Sequence, residues 1–426
     1  MNRFSVISPL LLLGGLLVSP LVSEGATYYV AKDGSNAHTC KQAQSATTPK
    51  LTIRAGAACL SGGDTLDIRS GTYSEDLADN IFPSGLSSSA RTTIRSHEGE
   101  TVTIQRATPH SLLLFSQATH IQLIGGSGYP FKFVGGAKIE AGANNAGAVI
   151  SFTNDDVVID GIDVTNPESG SLGGHHCILG GGGITIRNSH IHSCRAANYT
   201  NGNNGLYLVG NNVTVENNLI EDVSHNAVRC GAGDQPSDNC VIRGNTMIKT
   251  GTGAMQYARA VGMKIYNNVI ISPTFAGIQL LNSGGDISIW NNTIVGAQYC
   301  IYSGGGSVLV AKNNICANNK IDGITFENTR SVTASNNLCT TSGSGTGCDI
   351  VKANPGFVSA GANDYHLTSA HNLGANLSSS FTTDKDGVCR PGGGPPCSTT
   401  GAWDIGAYQY VAAPLAPTNL RRVTGP

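Results

Sequence analysis

MKIYNNVIIS (263–272) and ISIWNNTIVG (287–296) share one pattern, in which alternating apolar and polar residues precede a two-residue asparagine turn and an apolar residue follows it. The second turn residue recurs at Ser189, Asn218, Asn245, Asn268, Asn292, Asn314 and Asn337. The successive intervals are 29, 27, 23, 24, 22 and 23 residues. A fixed period between about 20 and 50 residues is typical of a repeat architecture. One repeat domain is therefore expected, although 426 residues would ordinarily suggest several domains.

The residues before each turn alternate with a period of two. Met263 and Ile265 oppose Lys264 and Tyr266, and the other repeats behave alike. This period predicts β-strands rather than helices. A unit with two or three short strands winds once around an axis, and stacked units form parallel sheets over a continuous apolar core. We expect about ten or eleven such coils.

The turn asparagines have a structural interpretation. Asparagine tolerates the left-handed backbone conformation that a tight bend requires. Stacked asparagine side chains can also hydrogen-bond from coil to coil as an amide ladder. We therefore interpret these residues as structural and not as a catalytic set.

Both ends of the chain differ from the repeats. Residues 1–25 are typical of a secretory signal peptide, with Arg3, an apolar run and small residues at the end. A membrane anchor is the alternative, but Pro and Gly interrupt the run, which is short for a span. We expect a secreted or cell-surface protein with no membrane span after signal removal. Residues 412–426 are Pro-rich and are predicted to form a linker-like tail.

Twelve cysteines in an exported chain predict disulfide bonds. Pairing of neighbours would give Cys40–Cys59, Cys177–Cys194, Cys230–Cys240, Cys300–Cys316, Cys339–Cys348 and Cys389–Cys397. A rival pairing is Cys316–Cys339, because these residues occupy equivalent repeat positions and strands about 4.8 Å apart would allow the bond. Metal binding by cysteine is the weaker reading, since two paired C-x2-C motifs are absent from the sequence.

The opening TYYVAKDGSN (27–36) and PKLTIRAGAACLSGGDTLDIRSGTY (49–73) resembles the start of secreted right-handed parallel β-helix proteins of the pectin-lyase-like superfamily. NPGFVSAGANDYHLTSAHNLGAN (354–376) and WDIGAYQY (403–410) are similar to the tail of the same group. The resemblance implies an all-β, single-stranded right-handed parallel β-helix solenoid over residues 26–411. It also implies a helical N-terminal cap, for which Ile53–Leu60 is the candidate.

One outward column is predicted along the strand type that precedes the asparagine strands. Its members are Ile178, Tyr207, Arg229, Gln256, Gln279, Tyr302 and Thr325, and the loops leading into it add His176 and His225. In related polysaccharide lyases the substrate groove lies over a comparable sheet, so the resemblance implies a groove here. His176, Gln256, Gln279 and Tyr302 are accordingly predicted to bind substrate.

Elimination from a uronate needs a cation near the carboxylate, a base for the C5 proton and an acid for the leaving oxygen. Arg229 is the candidate cation, since its planar fork matches a carboxylate. His225 is the candidate base, because imidazole titrates near neutrality, and Tyr207 is the candidate acid. The alternative is that polar residues such as His225 in SHNAV (224–228) only fill turns.

A second outward column places Tyr266 and Trp290 one coil apart, just before the asparagine turns. We expect two adjacent exposed aromatic rings, on which sugar rings could stack. Plain β-propensity is the alternative explanation of the two residues.

Other reaction classes find little support. TNDD (153–156) and GHH (174–176) are the only partial matches to the motif series of polygalacturonase-like hydrolases. No cofactor is expected. A calcium ion stays an open alternative without a clear carboxylate cluster. Asp160 and Asp163 flank a predicted strand and are interpreted as turn residues.

The charge balance of the chain indicates which class of binding partner to expect. Only 13% of residues are charged and the net charge is −2, which argues against bulk nucleic-acid binding. The leading hypothesis is a monomer that recognises an extracellular polysaccharide, with lyase-type cleavage of uronate-containing glycans as its enzymatic form. The competing hypothesis is a non-catalytic surface, adhesive or structural β-helix protein. Every site assignment depends on strand register, because a slip of one residue exchanges inward and outward side chains.

Overall fold

A computed structural model describes residues 25–107, 113–135, 148–166, 176–195, 203–232, 235, 237–257, 261–281, 285–306, 308–327, 331–341, 345–392 and 394–412. Residues 1–24 of the expected signal peptide and residues 413–426 of the expected tail lie outside this part of the chain. Within it, no helix has the length and apolar character needed to cross a membrane.

Twelve parallel strands that precede the turns form the first face of a solenoid. They are Thr27–Val30, Thr65–Ile68, Thr92–Ser96, Ile121–Ile124, Val157–Asp160, Ile184–Arg187, Thr214–Glu216, Val241–Arg243, Met263–Tyr266, Asp286–Trp290, Val308–Lys312 and Ser331–Ser335. The sequence repeat predicts about ten or eleven coils, so the predicted count differs slightly from the number of strands in this sheet.

The second face consists of strands that follow the turns, and the third face leads back to the first. On the second face lie Gly71–Ser74, Val102–Gln105, Phe131–Val134, Ile162–Thr165, His190–His192, Val269–Ile271, Thr293–Val295, Ile315–Ala317, Leu338–Cys339 and Ile350–Val351. On the third face lie Leu114–Ser116, Ala148–Phe152, His176–Gly180, Leu206–Leu208, Ala276–Leu281, Tyr299–Ser303 and Ile321–Phe326. Two longer strands, Leu219–Cys230 and Thr246–Tyr257, run from the second face to the third.

Apolar side chains stack in register inside the coils. Ile186 pairs with Val215, and Val215 with Ile242, at the same height on the first face. All three side chains are completely buried. The period of two therefore sends one side of each strand into a common core and leaves the other side outside.

The turn between the first and second faces is held by the asparagine ladder. The backbone N–H of Asn218 donates to Asn245 Oδ1, and that of Asn245 donates to Asn268 Oδ1, both at 3.0 Å. Asn245 Nδ2 also donates to Asn268 Oδ1 at 3.0 Å and to the Val215 carbonyl at 2.9 Å. The first residue of each turn has positive φ, as in Asn217 at 56°. The structural interpretation of these asparagines is confirmed.

Short elements precede and follow the coils. The helix Ile53–Ala57 begins after Thr52, whose side chain accepts a hydrogen bond from the Ala55 N–H. It is shorter than the expected Ile53–Leu60, and its role as a cap stays a prediction. The 3-10 turns are Gln42–Gln44 and Ala360–Ala362, and Phe357–Ser359 pairs antiparallel with Asp364–Leu367.

The C-terminal segment, residues 372–410, folds back over the turns. Arg390 is completely buried in it and donates to the carbonyls of Asp404 and Gly406 at 3.0 and 2.9 Å. It also donates to the turn residue Asn267 at 3.3 Å. Asn291 donates to the same two carbonyls. The segment is thus fastened to the ladder side of the solenoid by backbone acceptors.

All twelve cysteines are paired, and the pairing of neighbours is confirmed. The rival pairing is wrong, although Cys316 and Cys339 do lie side by side on adjacent strands. Cys316 bonds Cys300, and Cys339 bonds Cys348. Each of these bridges closes a short loop rather than joining equivalent repeat positions.

We expect Asn245→Ala to lower the free energy of unfolding by about 3 kcal/mol, because it leaves buried partners on both neighbouring coils without hydrogen bonds. The measurement is urea unfolding followed by circular dichroism. Asn217→Gly is the matched control, since Asn217 is exposed and glycine accepts its positive φ. Equal midpoints for the two variants would contradict the structural role of the ladder.

Candidate functional site

Tyr207 and Arg229 are adjacent on the third face. Their strands pair in register, with Tyr207 opposite Arg229. The Arg229 guanidinium lies over the Tyr207 ring, 4.7 Å from its centroid. The Tyr207 ring centroid is also 4.6 Å from that of His176. Tyr207 and Arg229 are half-buried, whereas His176 is 5% exposed. Two of the predicted catalytic residues and one predicted binding residue therefore meet at one place.

Buried asparagines connect His225 to this group. The Asn204 N–H donates to His176 Nδ1 at 3.2 Å, and Asn204 Oδ1 accepts from Asn226 Nδ2 at 2.8 Å. His225 Nδ1 lies 3.2 Å from Asn204 Oδ1 and 2.7 Å from Asn226 Nδ2. We call His176, Asn204, Tyr207, His225, Asn226 and Arg229 the Tyr207 cluster.

The two neighbours of His225 select different tautomers. A proton on Nδ1 would be donated to Asn204 Oδ1 and would leave the lone pair on Nε2. A lone pair on Nδ1 would instead accept from Asn226 Nδ2 and would place the proton on Nε2. Only the first arrangement makes Nε2 a base.

Burial, and then the positive charge of Arg229, lower the pKa of His225 below its ordinary value. The imidazole is therefore neutral at physiological pH. Asn226 is 1% exposed, and its Oδ1 has no hydrogen-bond partner in the described part of the chain. A buried acceptor without a partner is costly, so this oxygen is a free hydrogen-bond acceptor within the cluster.

Asp222 forms its ion pair with Arg195 and not with Arg229. Its carboxylate accepts from Arg195 Nε at 2.7 Å, and Arg195 Nη2 forms an ion pair with it. Arg229 Nε instead donates to the Gly231 carbonyl at 3.1 Å. Nearby, Arg195, Asp222, Ser224 and Lys249 line a pocket of about 450 Å³ between the second and third faces.

The strand register differs from the predicted outward column at two positions. Gln256 pairs with Cys230 and Leu280, which are completely buried, so its position in the column is wrong by one residue. Met255 holds the column position, between Arg229 and Gln279. Likewise Ile178 is buried and Leu179 pairs with Tyr207. A slip of one residue has this effect because successive strand side chains point in opposite directions.

The column continues into an aromatic patch. Gln279 accepts from Thr252 Oγ1 at 3.3 Å and pairs with Tyr302 on the next coil. The Tyr302 ring is 5.6 Å from that of Phe275 and 5.2 Å from that of Tyr299. All three rings are half-buried. We call Phe275, Tyr299 and Tyr302 the aromatic patch. Sequence reasoning missed Phe275, which directly precedes the strand Ala276–Leu281.

The expected exposure of the first-face aromatics is wrong. Tyr266 is 7% exposed, and its ring stacks on Phe381 with centroids 4.6 Å apart. Trp290 stacks on the same ring at 6.2 Å and is half-buried. Arg243 also donates to the Tyr266 hydroxyl at 3.0 Å. The C-terminal segment covers this pair, so a sugar ring cannot stack there in this arrangement.

A second polar cluster was missed from the sequence. Asp163 is not a turn residue, because it lies in the strand Ile162–Thr165 and pairs with His190 on the next coil. His190 and His192 stack with ring centroids 4.2 Å apart. The signal was HIH (190–192), a period of two that comes one repeat after Asp163.

Comparisons with known proteins agree with the architecture. A family model described as "Right handed beta helix region" matches residues 139–294. The chain is similar to pectate lyase Pel9A, with 15% identity, a TM-score of 0.57 and coverage of 90% of this chain and 96% of the other. It is also similar to XylC in complex with xylose, with 12% identity, a TM-score of 0.52 and coverage of 90% and 98%.

No curated protein matches the sequence. At such low identities the structural likeness concerns the fold alone. The protein folds as a right-handed parallel β-helix, the architecture that the opening and closing motifs indicated.

We expect His225 to titrate below 6.5, and Arg229→Ala to raise its pKa because the variant removes a nearby positive charge. The unfolded chain then binds a proton that the folded protein rejects, so His225 lowers stability as pH falls through 6.5. The measurement is the NMR titration of the imidazole C–H signals, assigned with His225→Gln. Arg229→Lys is the control, since it keeps the charge. A His225 pKa at or above the ordinary value would refute the assignment.

Proposed function

We propose that this protein binds an extracellular polysaccharide along its third face and that the Tyr207 cluster cleaves a uronate-containing chain by β-elimination. The observation that carries the proposal is the juxtaposition of Arg229 and Tyr207 on adjacent coils, with His225 in the same hydrogen-bonded cluster. The six disulfides and the signal-like residues 1–25 support an extracellular location.

Each proposed role follows from the chemistry of its side chain. The Arg229 guanidinium would pair with the uronate carboxylate and stabilise the negative charge that develops there. His225 would take the C5 proton through Nε2, in the tautomer whose Nδ1–H donates to Asn204. The electron pair of the broken C5–H bond forms a C4=C5 double bond as the C4–O bond breaks. Tyr207 would protonate the leaving oxygen.

The remaining column would hold the rest of the polymer. Arg229, Met255, Gln279 and Tyr302 occupy matching positions on four successive coils. Adjacent parallel strands lie about 4.8 Å apart, so Arg229 and Tyr302 are separated by roughly 14 Å along the solenoid. The aromatic patch offers ring surfaces at the far end of this stretch.

A non-catalytic carbohydrate-binding protein is the second candidate. The aromatic patch favours it, because half-buried rings bind sugars without any need for an acid or a base. In this reading Arg229 would bind an acidic sugar, and His225 would serve only as a buried hydrogen-bonding group.

We expect the mature protein to release unsaturated sugar ends from a uronate polymer, observed as rising ultraviolet absorbance with alginate, pectate, chondroitin or hyaluronan. Arg229→Ala and His225→Ala should each lower the rate about 100-fold or more, since each removes a transition-state interaction. Lys264→Ala is the matched control. It removes an exposed cation from the first face and should leave the rate unchanged.

The same polymers in native gels separate the two candidates. Retarded migration without new absorbance, lost on Tyr302→Ala, would establish a binding protein and remove the lyase proposal. Neither absorbance nor retardation with any glycan would leave a structural role. Equal loss in Lys264→Ala and Arg229→Ala would show a nonspecific charge effect.

A further inference from the structure

Three side chains of the second face converge outside the Tyr207 cluster. Asp163 Oδ2 lies 3.3 Å from His190 Nδ1, and Asp163 Oδ1 lies 3.2 Å from His192 Nε2. One ligand atom from each of the three residues lies within 4.8 Å of the others. In a tetrahedral site with bonds of about 2.0–2.1 Å, donor atoms are roughly 3.3 Å apart. The two short distances are close to that spacing but involve different oxygens of Asp163, so a small rotation of the carboxylate would bring one oxygen to both imidazoles.

The far nitrogen of each imidazole already has an acceptor. His190 Nε2 lies 2.9 Å from Glu221 Oε1 on the next coil. His192 Nδ1 lies 3.3 Å from Ser193 Oγ, which itself donates to Asp222. These acceptors would hold the ring proton on each far nitrogen once an ion takes the lone pair of the near nitrogen. Metal-binding histidines generally donate their second N–H in this way, often to a carboxylate.

We propose that Asp163, His190 and His192 form a binding site for a divalent transition-metal ion, with Glu221 orienting His190. The side chains of His190 and His192 are 18% and 27% exposed, so the ion can enter from solvent and keep a water molecule as a further ligand. Two imidazoles and one carboxylate suit Zn²⁺ and its neighbours better than Ca²⁺ or Mg²⁺, which prefer oxygen ligands.

The ligands sit on a rigid frame. Asp163, the His190–His192 pair and Glu221 come from three successive coils whose strands pair in register. Side chains on paired strands keep their spacing better than side chains on loops. A bound ion would therefore clamp adjacent coils on the second face, away from the proposed groove on the third face, and would take no part in the proposed cleavage.

Without metal, the same residues form an ion-pair network. Hydrogen bonding to Asp163, opposed by burial and helped by Glu221, raises the pKa of His190. A proton thus competes with the metal for His190. The binding experiment is best made at about pH 8, because a raised pKa keeps a proton on His190 at lower pH.

The test uses the full mature chain without an affinity tag, stripped with EDTA and titrated with Zn²⁺ by calorimetry. We expect one ion per chain and a melting temperature about 5 °C higher with excess Zn²⁺. Asp163→Asn and His192→Ala should each weaken Zn²⁺ binding about 100-fold. His366→Ala is the matched control, because His366 also lies between two carboxylates, Asp364 and Asp386, and should leave binding unchanged.

A measurement on the unaltered protein guards against variants that fail to fold. Co²⁺ should give the intense visible absorption of a low-symmetry nitrogen and oxygen site, and Zn²⁺ should abolish it by displacement. Absence of Zn²⁺ binding and Co²⁺ absorption in the unaltered chain would overturn the proposal. Binding that survives both Asp163→Asn and His192→Ala, or that is lost equally in His366→Ala, would also overturn it.

Discussion

The buried asparagine ladder is the interaction on which the outer surface depends. From Asn218 to Asn314, each ladder asparagine donates its backbone N–H and its side-chain amide to the next coil, as Asn268 does to Asn292 at 3.1 and 3.0 Å. The same side chain reaches back to the Ile242 carbonyl at 2.9 Å. These hydrogen bonds join each such turn to the coil before it and the coil after it. They therefore fix the register of neighbouring coils. Outward columns exist only while that register is kept.

The strand register also places chemically different side chains next to each other, one pair on the third face and one on the second. On the third face it places Tyr207 beside Arg229, and on the second face it places Asp163 beside His190. Neither pair is close in sequence. Both stand on hydrogen-bonded strands above completely buried neighbours such as Leu208 and Val164. The scaffold therefore orders polar groups at little cost to the packing beneath them.

The C-terminal segment decides which face stays open. Phe381 lies against Tyr266 and Trp290, and the buried Arg390 ties the segment to the ladder turns. This arrangement closes the aromatic surface of the first face and leaves the third-face rings accessible. Burial lowers the pKa of Arg390 to about 10, which is still far above neutrality, so this anchor stays charged under physiological conditions.

The sequence by itself determined the solenoid, the strand period and the ladder positions, because each follows from a pattern local to one repeat, whereas the structure decided between the two disulfide pairings that the sequence left open. It also offered Tyr207, Arg229 and His225 as candidates, because their residue types suit one reaction. Tertiary structure alone decided the strand register that pairs Gln256 with Cys230, that Phe381 covers Tyr266, and that Asp163 meets two histidines. Those outcomes depend on the exact register and on contacts between distant segments, and neither is encoded in the local alternation of apolar and polar residues.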